Sequence, residues 1–90
     1  MPMLEWDQDN LGKILAQKIE REEIEQALGN NPIPVLEQDV EGDFSYVYYG
    51  ETNAGRLLSV VVIDSSDNVR VITAGDLNAD QRRDYLQRRA

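Results

Sequence analysis

Ninety residues carry 17 acidic and 9 basic side chains, a formal net charge of −8, with no cysteine and no histidine. That composition excludes disulfide staples, thiolate zinc centres, thiol nucleophiles and every mechanism built on imidazole. The longest nearly apolar run, residues 57–63, falls far short of the roughly 20 residues a membrane helix needs, and the first ten residues lack the basic start and apolar stretch of a secretory leader. One small soluble, cytoplasmic domain over residues 1–90 is the expectation, and no membrane contact.

The first helix is expected after Trp6, with Asp7 as N-cap and Trp6 and Leu11 at the two positions that pack as a hydrophobic staple. Leu11, Ile14, Leu15 and Ile19 share one face at helical spacing, and the helix should end near Lys18. A second helix follows, with Glu20 as N-cap, Glu23 three residues on, and Ile24, Ala27 and Leu28 as its buried stripe. Gly29-Asn30-Asn31-Pro32 ends it, with Gly29 suited to the left-handed position and Pro32 unable to continue.

Strands come next. Residues 33–38 contain Pro34 and follow Pro32, which marks an edge strand. Residues 44–49 and 56–63 form two more, joined by the loop at 50–55. Leu57, Val61 and Ile63 lie on one face of the later strand and Leu58, Val60 and Val62 on the other, so it belongs at the centre of the sheet. A polar turn at 64–68 leads to a fourth strand at 69–73. Short polar turns between successive strands mean an antiparallel meander. Asn78, with Gln81 three residues on, starts a last helix whose Tyr85 and Leu86 can dock on the sheet. The order is ααββββα: an α+β domain with a four-stranded antiparallel sheet packed by helices.

Charge is unevenly spread along this chain. Residues 1–67 hold fourteen acids against Lys13, Lys18, Arg21 and Arg56, while residues 68–90 hold five arginines against Asp76, Asp80 and Asp84. A body so acidic repels phosphate backbones, so DNA binding by the chain alone is not expected. A local basic patch near the C-terminus can still work, because salt screens charges beyond roughly 8 Å. The acids Glu37, Asp39, Glu41 and Asp43 lack the spacing and central glycine of a calcium loop and read as a solvated turn. No metal and no cofactor are expected.

Tyr49-Gly50-Glu51-Thr52-Asn53-Ala54-Gly55-Arg56-Leu57-Leu58, then Val69-Arg70-Val71-Ile72-Thr73-Ala74, then Arg82-Arg83-Asp84-Tyr85 resemble, in order and spacing, the BrnT-type toxins. Trp6-Asp7 is similar to that family's opening Trp-Asp, and residues 19–32 to its acidic second helix ending near Asn-Asp-Pro. The resemblance implies a RelE-like fold and a toxin of a type II toxin–antitoxin system, an RNA-cleaving enzyme silenced by a BrnA-like antitoxin. Three departures stand out. Gln17-Lys18-Ile19 replaces the family's Lys-His-Gly, Glu51 stands where the pattern has arginine, and Gly75 stands where a second arginine would follow Ala74.

Metal-independent RNA cleavage needs a base, an acid and positive charge at the developing pentacovalent phosphate. Arg70, Arg82 and Lys18 are the catalytic candidates, with Arg83, Arg56 and Tyr85 for RNA binding. Each has a plainer reading. Arg70 can pair with a carboxylate or cover apolar surface with its stem, and Lys18 can complement a helix dipole. Arg82 and Arg83 can pair with Asp80, Asp84 or the acidic helices, and the tyrosines at 46, 48 and 49 suit a half-buried strand. Two functions follow as expectations: an endoribonuclease toxin, or a catalytically silent relative that keeps a protein-binding surface.

Overall fold

The computed structural model describes residues 3–6, 8–40, 43–64 and 68–89. Its elements are β1 (Met3–Trp6), α1 (Gln8–Ala16), α2 (Arg21–Gly29), β2 (Ile33–Val40), β3 (Asp43–Glu51), β4 (Leu57–Asp64), β5 (Asn68–Asp76) and α3 (Ala79–Arg89). The expected α+β domain is present, with β2 to β5 as an antiparallel meander and three helices among the described residues. One strand was not foreseen. β1 lies parallel to β5, with Leu4 opposite Val69 and Trp6 opposite Val71, and extends the sheet to the order β1-β5-β4-β3-β2. A four-residue edge strand whose partner lies some sixty residues away leaves no local mark in a sequence. Trp6, expected to staple the first helix, ends this strand and packs against the main core. The Asp7 cap, the acidic turn at 41–42 and the turn at 65–67 lie outside the described residues.

β4 is the centre of the sheet, as its two-sided apolar pattern requires. Leu58, Val60 and Val62 face α1 and α2 and are buried with Ile14, Ile19, Ile24, Ala27, Val71 and Ala74. Fully burying one such aliphatic side chain stabilises the fold by roughly 1.5–3 kcal/mol. The alternate positions Val47, Tyr49 and Leu57 face the other way and pack with Leu77 and Tyr85. Val71 and Ala74 sit three apart on one face because the β4–β5 register shifts between Val61 and Val62, which inserts Ile72 as a bulge.

α2 lies directly on β3. A Cβ built at Gly50 would stand 2.4 Å from the Ala27 carbonyl oxygen, so only glycine allows this approach. The helix starts as expected, with the Glu20 amide donating to Glu23 Oε1 at 2.9 Å. Its end differs from the expectation. Gly29 is still helical, and Asn31 takes the left-handed conformation (φ +53°), which asparagine tolerates better than most residues. α3 begins as read: the Asn78 amide donates to Gln81 Oε1 and the Gln81 amide to Asn78 Oδ1, at 3.0 and 2.8 Å. Leu15 and Leu86 were expected inside and are about half exposed. α1 ends one residue beyond Leu15, and α3 seats itself through Tyr85.

Candidate functional site

Arg56 precedes β4 and is the most heavily engaged side chain among the described residues. Its Nε and Nη2 donate to the two oxygens of Asp76 at 2.7 and 3.0 Å, a fork matched to a carboxylate. Its Nη1 donates to both oxygens of Glu23 at 3.1 Å and to the Lys18 carbonyl at 2.9 Å. The guanidinium thus ties the end of β5, the first turn of α2 and the α1–α2 connection to the start of β4. Two local features make this possible. Lys18 adopts a left-handed backbone (φ +61°), and the hairpin loop is closed on buried Thr52, whose Oγ1 accepts from the Arg56 amide.

The electrostatics follow from that geometry. Paired with two carboxylates, Arg56 has its pKa raised. Asp76 is held below the usual carboxylate range mainly by its hydrogen bonds from Arg56, with Arg82 adding a smaller attraction. Glu23 is lowered too, first by the Glu20 amide and then by Arg56. A carboxylate shifted downwards is a poor proton acceptor near neutral pH, where an efficient general base has its pKa close to the working pH.

The other expected site residues are distributed as follows. Arg82 is exposed on α3 within electrostatic reach of Asp76. Lys18 is exposed and joins the cluster through its carbonyl. Arg83 points to solvent with Asp80 3.9 Å away. Arg70 is exposed on β5, opposite Ile63, and is engaged rather than free. Six residues of strand separate it from Asp76, a span of about 20 Å. Tyr85 is buried in the core beneath α3, with the Arg89 guanidinium 5.8 Å from its ring centre, so its ring is a packing surface. The side chains of Arg56 and Arg82 and the backbone of Lys18 therefore gather at one end of the sheet, and Arg70 does not join them.

Neither protein-family models nor curated proteins match this chain.

The two positions that depart from the toxin pattern have definite surroundings. Glu51 receives Arg89 Nη1 at 2.8 Å, and its carbonyl accepts from Asn30 Nδ2 at 2.9 Å. Gly75 has only the Gln17 Oε1 atom near the place a Cβ would take, at 3.3 Å. Sequence reasoning missed Asp76 and Glu23, the carboxylates that define the cluster. Asp76 carries no sequence signal beyond its acidic character, shared with sixteen other residues, and Glu23 was read only as a partner of the helix cap. Among the described residues, no group of three or more acidic side chains is placed to hold a metal ion, and no helix is long and apolar enough to cross a membrane.

Proposed function

We propose that this chain is a toxin-like component of a type II toxin–antitoxin pair that acts by binding a protein partner and is silent as a ribonuclease. The partner is an antitoxin-like, BrnA-type protein. The assignment to such a pair rests on the BrnT resemblance. The silence rests on one observation: Arg56 has two carboxylates and a carbonyl on its donors, and both carboxylates are shifted away from the range of a useful base. Arg56 was expected to bind RNA, and a guanidinium so held has little to offer an RNA phosphate. The acidic body favours a basic partner segment, since opposite charge speeds encounter and suits a segment that folds on binding.

The endoribonuclease reading keeps one observation of its own, the approach of Arg56 and Arg82 to Asp76, with the Lys18 backbone carbonyl bound to Arg56. Purified protein incubated with total RNA, with and without ribosomes, separates the two. The binding reading expects no cleavage above that of the Arg82→Ala and Arg70→Ala variants. Cleavage by the wild type that drops about a hundredfold or more in Arg82→Ala, the scale expected for losing one transition-state contact, refutes silence and restores the enzyme. Co-expression with the product of the adjacent reading frame tests the partner, and a stable complex on size exclusion is the expected result.

A further inference from the structure

Between α2 and the far end of the sheet lies an open cleft of about 610 Å³, within the usual range for small-molecule sites. Its floor is apolar, from Leu4, Leu28, Val62 and Val69, and aromatic rings of Trp6, Tyr46 and Tyr48 line it. Tyr46 and Tyr48 stack with ring centres 5.9 Å apart. Pro32 and three charged residues complete the lining: Glu25 and Asp64, both exposed, and Arg21.

Two features indicate the sign of a ligand. The chain already places a cation on one of these rings, since the Arg21 guanidinium stands 5.0 Å from the Trp6 ring centre. Carboxylates also stand close to these rings: Asp64 lines the cleft, and with Glu37 it acts to raise the pKa of Tyr46 and Tyr48, alongside the larger effect of burial. Aromatic faces and carboxylates together favour a positive group, while the apolar floor favours a hydrophobic body. Arg21 is exposed and can swing away at small cost.

We infer that this cleft binds a small hydrophobic cation, an ammonium compound with an aromatic body. The body lies on Leu28, Val62 and Val69, and the charge faces Tyr48, Trp6 and the carboxylates of Asp64 and Glu25. This site is separate from the Arg56 cluster, and its occupancy depends on neither RNA nor a protein partner.

Trp6 is the chain's single tryptophan, so its fluorescence reports the cleft directly. Titration of the full chain with benzyltrimethylammonium, benzyl alcohol and phenylacetate tests the inference. The cation should give a saturable change and bind about fivefold or more tightly than the alcohol, with phenylacetate weakest. Tyr48→Leu, which leaves the charge unaltered, should weaken the cation about threefold or more. Glu25→Gln should weaken it about twofold, and Arg21→Gln should strengthen it about twofold by freeing the Trp6 ring and removing a like charge. Equal responses to cation and anion, a response that never saturates, or weaker binding in Arg21→Gln overturns the inference. Should Tyr48→Leu fail to fold, the two exposed substitutions and the ligand series still decide the matter.

Discussion

Replacing Arg56 with methionine keeps much of the stem and removes the guanidinium. Two sets of interactions disappear. The bidentate pair with Asp76 involves a carboxylate 59% exposed, which holds its contribution to the surface scale of about 0.5–1 kcal/mol. The bonds to Glu23, between side chains only about a quarter exposed, together with the exposed bond to the Lys18 carbonyl, contribute about 1–1.5 kcal/mol. The expected loss at pH 7 is therefore about 2 kcal/mol, which lowers the thermal midpoint of a chain this size by roughly 8–16 °C. The pH dependence is the sharper test. Glu23 and Asp76 have folded pKa values below their unfolded ones, so their contribution is complete above the unfolded values near 4 and is lost as pH falls through the lowered ones. Urea denaturation of both proteins between pH 7 and pH 3 should show the difference shrinking towards zero on the acid side. A difference that stays constant with pH would mean that Arg56 acts through stem packing, and the electrostatic account would be wrong.

Gly50→Ala forces a methyl group to within 2.4 Å of the Ala27 carbonyl oxygen, so α2 must lift from β3. A loss of about 1–3 kcal/mol in urea denaturation is expected, and an unchanged midpoint would refute the close approach. Gly75→Arg meets only the movable end of Gln17 and should fold normally. If that surface can meet RNA, filter binding at low salt should tighten, and the slope of log affinity against log salt should steepen by about 0.7 for one added phosphate contact.

The meander and α3 were legible because their signals are local: polar turns, a two-sided apolar strand, and, for the helix, an Asn–Gln cap that closes on itself within three residues. β1 was not, because its pairing partner is β5, almost the whole chain away. The same distinction governs the site. Arg56 was named from its sequence surroundings, yet its meaning depends on Asp76 and Glu23, 20 and 33 residues distant, and no pattern along the chain joins them. Tyr85 could be read as core or as a stacking surface until the face presented by α3 was seen. Arg70 and Arg82 read alike as cations near the C-terminus, and the length of β5 sets them apart.

The parallel edge strand has a consequence for how the molecule is made. Residues 3–6 leave the ribosome well before the strand they pair with, which is not complete until residue 76 has been added. Until then the β1 segment must wait unpaired while the hairpins assemble behind it, and contacts across such separations form slowly. Closure of the sheet at this edge thus waits for β5, and in the interval the edge of β5 stands open to a nascent-chain partner.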